Sequence, residues 1–297
     1  MAVDNPFFSI IIPTYNRAVF IGKAIESVLS QTFSNFELIV VDDGSVDDTE
    51  KIVKSFSSPK LRYIKTVNQE RGAARNTGAV AAKGLFVNFL DSDDFLFANH
   101  LAEAHLFIAE SKADIFHQAY EVVDVFGKRL RTCPVLRNIN QHILLGNSLS
   151  CNGVFLKREL ILLNPFTEDR EISSLEDWEL WIRLSARYPF QHNNKITSVV
   201  VQHEERSVMN PNIDRIKKKV EKFLTFVLND ETNRRAFGRQ LKKVQGSGYT
   251  YAALHIAIAG GTARDVLQFL TKGLRAWPTH AISKRILVVF KLLLFRP

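Results

Sequence analysis

The stretch Phe89-Leu90-Asp91-Ser92-Asp93-Asp94 decides how this chain of 297 residues is read, because it closes the apolar run from Leu85 to Leu90 with three carboxylates. A strand that ends in closely spaced carboxylates offers hard oxygen ligands at the mouth of a sheet, where a divalent cation carrying a diphosphate can sit. Taken alone, such a run also suits a turn or a helix cap. The upstream sequence narrows the choice. Phe8 to Ile12, Phe36 to Val41 and Leu61 to Ile64 are short, nearly continuous apolar runs, the pattern of strands covered on both faces. Between them Val19, Ile21, Ala24, Ile25, Val28 and Leu29 recur at helical spacing, as do Ile52, Val53 and Phe56. This alternation predicts an α/β fold whose mostly parallel sheet is flanked by helices and joined by right-handed crossovers.

Downstream the pattern predicts a helix over 97–110, strands over 115–123, 154–156 and 196–201, and a helix over 175–186. The stretch from Gly127 to Ser150 has little periodicity. From Ile213 onward the chain reads as mostly helical, and Pro211 marks a boundary near 209–212. Two domains are therefore expected, over 1–209 and 210–297.

Several loops carry chemistry. Pro13-Thr14-Tyr15-Asn16 follows the first strand, at the carboxyl edge where open α/β sheets bind ligands. Asp42 and Asp43 end the second strand, either as ligands or as turn and cap residues. Arg71-Gly72-Ala73-Ala74-Arg75-Asn76-Thr77-Gly78 opens a helix with small residues, so that backbone amides can approach a nucleotide, and adds two guanidinium groups. Glu176 and Asp177 in Leu175-Glu176-Asp177-Trp178-Glu179-Leu180-Trp181 stand in the first turn of a helix, a place the helix dipole favours for acids.

In order and spacing, the segments at 8–17, 36–45, 71–78 and 89–94 resemble the family 2 glycosyltransferases, and the resemblance covers roughly residues 7 to 207. It implies the GT-A, Rossmann-like fold and an inverting transfer from a nucleotide sugar, a UDP-sugar in the first instance. It also implies roles for individual residues. Pro13, Thr14 and Tyr15 would wall the nucleotide, Asp43 would accept a hydrogen bond from the base, and Arg71, Arg75, Asp91 and Ser92 would lie beside the donor. Asp93 would ligate Mg²⁺ or Mn²⁺ on the diphosphate, with His203 near the metal and Ser207 close behind. Asp94 would support the next helix. Asp177 would be the general base, with Glu176 and Trp178 forming the acceptor pocket. The acceptor implied is a glycan or a lipid-linked sugar at the cytoplasmic face of a membrane.

Bulk properties fit this picture. A hydrophobic content of 46% excludes global disorder. Cys133 and Cys151 form no disulfide framework or zinc-finger spacing, as expected in a reducing cytoplasm. The N-terminus lacks a signal-peptide pattern, and no stretch reaches the roughly 20 apolar residues of a spanning helix. The net charge of +8 is uneven: Lys and Arg number 22 against 26 Asp and Glu in residues 1–209, but 17 against 5 in residues 210–297. A tail of that sign meets an anionic surface. Its last segment, Ala281 to Pro297, sets Lys284, Arg285, Lys291 and Arg296 among strong hydrophobes, the pattern of a helix lying in the plane of an anionic membrane, or else of a helix docked on the protein. Interleaved aromatics of a nucleic-acid module are missing from it, so a nucleic-acid partner is not expected. A catalytically silent nucleotide-sugar-binding protein is the other rival, and the intact set Asp91, Asp93 and Asp177 argues against it.

Overall fold

A computed structural model describes residues 5–133, 136, 138–203 and 212–294. Among them, nine strands form one sheet. They are β1 (Phe8–Thr14), β2 (Phe36–Asp42), β3 (Leu61–Lys65), β4 (Phe86–Phe89), β5 (Phe95–Leu96), β6 (Ile115–Asp124), β7 (Arg129–Thr132), β8 (Val154–Lys157) and β9 (Gln191–Gln202). The order is β3-β2-β1-β4-β8-β6-β9-β5, with β7 paired to β6. The pairings make β1, β2, β3, β4, β6 and β9 point one way and β5, β7 and β8 the other. The mostly parallel sheet is as expected. Around and after it lie α1 (Ala18–Leu29), α2 (Thr49–Lys54), α3 (Arg71–Ala81), α4 (His100–Ser111), α5 (Ile139–His142), α6 (Arg158–Leu163) and α7 (Glu176–Ser185). The C-terminal helices are α8 (Ile213–Asn229), α9 (Glu231–Phe237), α10 (Leu241–Ile258), α11 (Ala263–Ala276) and α12 (Lys284–Leu294).

The chain divides into two compact units. The first comprises Met1–Ile139, Ser148–Arg170 and Tyr188–His203. Its central strands β1 and β2 are buried along their whole length, which is why they read as unbroken apolar runs rather than alternating ones. Their side chains pack with Ile21, Ala24, Ile25 and Val28 of α1 and with Phe86, Phe116 and Phe155. Strand β9 starts at Gln191, five residues before the expected start, because Gln191, His192 and Asn193 pair with β6 ahead of an irregular step in register. The short strands β5 and β7 and helix α6 carry no period strong enough to read from sequence.

The second unit comprises Asn140–Asn147, Glu171–Arg187 and the C-terminal helices. Two stretches from within the sequence-assigned catalytic part thus cluster with those helices, and 209–211 of the expected boundary lie outside the described residues. Its core holds Trp178, Trp181, Phe223, Val244, Ile256 and Val266, with the Trp178 ring stacked on Phe223 at 4.6 Å. Helix α12 turns Ile286 and Val289 into this core and leaves Leu287, Phe290 and Leu294 exposed.

Buried histidines brace both units. His100 Nδ1 pairs with Thr197 Oγ1 at 2.8 Å, and His117 Nδ1 with His192 Nδ1 at 3.3 Å. Burial pulls His100 and His117 down to about 3, and it pulls His255 and His280 to about 4 with Arg285 adding to the effect. All four lie below the ordinary value, so the neutral ring carries the stability. That stability is complete above pH ~6.5 and is lost as the pH falls from there toward the folded-state values. Unfolding free energy measured in urea between pH 6.5 and 4.5 should therefore fall by up to about 1.4 kcal/mol per pH unit for each of these histidines. A flat profile in that window, which lies above most carboxylate titration, would mean the rings are not held neutral.

Candidate functional site

The first unit gathers most of the expected residues at the carboxyl ends of β1, β2 and β4. Pro13 and Thr14 are buried at the end of β1, while Tyr15 is 46% exposed. Asn16 takes a positive φ of 50°, accepts from Val46 N–H through Oδ1 at 2.9 Å, and donates its own N–H to Ser45 Oγ at 2.9 Å. The loop after β1 is thereby fixed to the loop after β2.

Asp42 is structural: Oδ1 accepts from Ser45 N–H at 2.7 Å and Oδ2 from the Tyr63 hydroxyl at 2.5 Å. Asp43 holds the next loop. Its Oδ1 accepts from Gln69 N–H and its Oδ2 from Glu70 N–H, both at 2.8 Å, with Asn68 Nδ2 at 3.1 Å. Burial raises the Asp43 carboxyl above its ordinary value, and the two amides oppose that rise. Glu70 needs such an anchor, since its φ of 79° and ψ of 163° are a conformation that suits glycine.

Helix α3 starts at Arg71, which is partly buried, and two of its glycines meet a packing need. A Cβ on Gly72 would lie 2.6 Å from the Thr167 carbonyl oxygen, and one on Gly78 would lie 2.4 Å from Ile11 Cγ2. These glycines bring α3 against the 166–168 loop and against β1. Arg75 is 2% exposed and donates through Nη2 to Asp91 Oδ1 at 2.9 Å, with its guanidinium 5.1 Å from the centre of the Phe166 ring. It is not a solvated arginine; it is paired with Asp91.

In the acidic run, carboxylate oxygens of Asp91, Asp93 and Asp94 lie within 4.8 Å of one another. Ser92 is buried between them. Asp93 Oδ2 meets His203 Nε2 at 3.1 Å, and the imidazole stacks on Phe20 of α1 at 4.5 Å. Asp93 and His203 are thus brought together from 110 residues apart. Ser207 lies outside the described residues. Asp94, expected to support the next helix, instead accepts from Val201 N–H of β9 and from Asn152 Nδ2, each at 2.9 Å. Asn152 also accepts from Asp91 N–H through Oδ1 at 3.1 Å. It has no sequence signature, since its partners lie about sixty residues upstream.

The remaining expected residues belong to the second unit. Ser174, with φ of 75°, precedes α7. Asp177 occupies the first turn of α7, beside Glu176, and its Oδ2 accepts from Asn147 Nδ2 at 2.8 Å. Asn147 is a second residue that the unpatterned 127–150 stretch concealed. Glu176 and Trp178 are each 2% exposed, and Trp178 Nε1 donates to the Ile143 carbonyl at 2.8 Å. Trp178 is thus packed inside the second unit and ties α7 to Ile143 and Phe223.

Solved glycosyltransferases share this architecture. The S. aureus TarS fragment 1-349 in complex with UDP-GlcNAc aligns with a TM-score of 0.62 at 20% identity, covering 92% of this chain and 91% of that one. The mannosyltransferase PcManGT from Pyrobaculum calidifontis, in complex with GDP-Man and Mn²⁺, aligns with a TM-score of 0.58 at 19% identity, covering 98% and 87%. At the level of sequence, Glycosyl transferase family 2 matches residues 9–153. The E. coli UDP-Glc:alpha-D-GlcNAc-diphosphoundecaprenol beta-1,3-glucosyltransferase WfgD is 34% identical over 187 residues, which cover 61% of this chain and 71% of WfgD. The chain belongs to glycosyl transferase family 2. Some relatives are much longer, and the chain spans 30% to 38% of the length of three of them.

Proposed function

We propose that the protein is an inverting glycosyltransferase that moves a sugar from a nucleotide donor, a UDP-sugar, to a hydroxyl of a glycan or lipid-linked acceptor. The observation that carries this reading is the meeting of Asp91, Asp93 and His203 at the carboxyl end of the parallel strands, with Arg75 fixing Asp91. UDP-GlcNAc in the TarS complex and the UDP-Glc in the name of WfgD support a uridine donor.

In this reading Thr14, Tyr15 and the loop held by Asp43 receive the nucleoside, and Arg71 and Ser92 face the donor while Arg75 sets the position of Asp91. Asp93 and His203 offer a carboxylate oxygen and an imidazole nitrogen, a donor set that suits Mg²⁺ or Mn²⁺. Such an ion, when bound, neutralises charge on the departing nucleoside diphosphate. Asp177 takes the proton of the acceptor hydroxyl while that oxygen forms its bond to the anomeric carbon. The bond from that carbon to the diphosphate oxygen breaks on the opposite face, so a single displacement inverts the centre. Asn147 holds one carboxylate oxygen of Asp177, and Trp178 with Glu176 keeps the helix that carries it in place.

The diphosphoundecaprenol acceptor in the name of WfgD supports a membrane-borne acceptor, met by a protein working peripherally from the cytoplasm. No described helix is long and apolar enough to cross a membrane. On α12, Leu287, Phe290 and Leu294 lie along one exposed stripe with Lys284 and Lys291 beside it, which suits insertion at an anionic surface. Arg285 is not part of that face, because it donates to Ser247 and Thr250 of α10.

Three measurements test this reading. Asp177→Asn should cut transfer by ~10² to 10⁴ with UDP affinity nearly unchanged, since the base acts on the acceptor; turnover within about tenfold of wild type removes Asp177 from that role. Asp93→Ala should abolish the dependence of UDP affinity on Mn²⁺ in titration calorimetry, and an unaltered dependence would move the ion elsewhere. Replacing Leu287, Phe290 and Leu294 by Ser, or Lys284 and Lys291 by Gln, should release the protein from vesicles rich in acidic lipid, at about 1 kcal/mol per charge in the second case. Unchanged vesicle binding by both sets would exclude α12 as the contact.

A further inference from the structure

Arg285 is the least expected charge in the second unit. It is partly buried, and burial pulls its guanidinium below the ordinary value. Among the described residues no carboxylate pairs with it. Its Nη1 instead donates to neutral acceptors of α10: the Ser247 carbonyl at 2.9 Å, Ser247 Oγ at 3.0 Å and Thr250 Oγ1 at 3.2 Å. Other cations of this unit behave in the ordinary way, with Lys217 on Asp265 at 2.7 Å and Lys272 on Glu221 at 2.6 Å. A cation withdrawn from water with only neutral partners is costly, and an anion arriving from outside the chain offsets that cost.

The place of this guanidinium gives the anion an address. A Cβ at Gly146 would lie 3.4 Å from Arg285 Nη2, so the backbone there passes beside the guanidinium with no side chain set against it. The next residue, Asn147, is the one that holds Asp177. Tyr251 lies in the same neighbourhood: burial, with the charge of Asp177 next, pushes its hydroxyl up to about 12, while Arg285 opposes that rise. The Tyr251 ring packs on His255 at 4.1 Å, and His255 feels both Arg285 and Lys219. Lys219 in turn donates to Ser174 Oγ at 2.9 Å, at the entrance to α7. Lys219 thus touches the turn that leads into Asp177, and Arg285 lies beside Gly146, next to the residue that holds Asp177.

We propose that Arg285, with Lys219, forms a subsite for a phosphate group of the acceptor, one sugar ring away from the hydroxyl that Asp177 deprotonates. This rests on the reading of Asp177 as the base. The guanidinium fork would take two phosphate oxygens, with Nη1 already anchored to α10 so that little freedom is lost on binding. The acceptor is then a sugar phosphate or sugar diphosphate, carried on a lipid, and not a neutral glycan end.

The test is binding of geranyl diphosphate to the full chain with the donor site saturated by UDP and Mn²⁺. Inorganic pyrophosphate and glucuronic acid run as parallel probes, to separate a lipid-borne phosphate from a free one and from an acidic sugar. Arg285→Gln should weaken geranyl diphosphate binding about tenfold or more, as loss of a charge-assisted contact requires. Arg285→Lys should retain part of the affinity and Lys219→Gln should lose part of it, which keeps the proposal open to test if Arg285→Gln does not fold. Asp177→Asn should bind geranyl diphosphate as well as wild type does. Equal binding by wild type and a folded Arg285→Gln, no binding to wild type under saturating UDP, or tighter binding of glucuronic acid than of geranyl diphosphate each overturns the subsite. Full transfer activity in Asp177→Asn would instead sink the base assignment while leaving the binding result to stand.

Discussion

The buried carboxylate of Asp94 and the amide of Asn152 fix where the acidic run at the end of β4 can be. Asn152 is wholly buried and Asp94 is 2% exposed. Between them they tie the end of β4 to the turn before β8 and to Val201 of β9, while Asn88 Nδ2 donates to the Asn152 and Val154 carbonyls, each at 2.9 Å. The sheet changes here from parallel to antiparallel neighbours, which is where the ladder alone leaves backbone groups unsatisfied. The polar network fills that gap, and in doing so it aims Asp91 through its amide and carries β9 to the point where His203 meets Asp93. Low dielectric makes such a network costly to break and therefore specific in geometry.

Strain is concentrated just ahead of helices. Four non-glycine residues among those described take positive φ, and three of them, Asn16, Glu70 and Ser174, stand just ahead of α1, α3 and α7. Each costs on the order of 1–3 kcal/mol and persists only where its surroundings over-determine it. The surroundings are visible for each: Ser45 and Val46 for Asn16, the Asp43 carboxylate for Glu70, and Lys219 for Ser174. Asp43 thus holds a backbone at 69–70 that would otherwise relax.

Much of the parallel half was legible in the sequence because its strands are covered on both faces, and burial on both faces leaves an unbroken apolar signature in β1 and β2. The acidic run and the Glu176-Asp177 pair were legible because their spacing is local. What sequence could not disclose was pairing across long separations. Arg75 reads as a helix-surface cation until Asp91 and Phe166 are folded over it. The contacts of the α3 glycines with Ile11 and Thr167 are likewise invisible in the local sequence. In α12 the amphipathic pattern announces itself, but only the packing on α10 decides that Arg285 turns inward while Leu287 turns out.

The way the two units interleave along the chain bears on the order in which the protein can be born. The first unit receives its last strand only with Tyr188–His203, and the second takes 140–147 and 171–187 long before its C-terminal helices exist. During vectorial synthesis the Trp178 ring therefore leaves the ribosome 45 residues ahead of Phe223, the side chain it stacks on. Until α8 emerges, the apolar face of α7 lacks the Phe223 side of its cover. A nascent chain in that state is the kind that chaperones retain, and a shortened product lacking the C-terminal helices would carry that exposure permanently, so quality control rather than loss of chemistry would decide its fate in a cell.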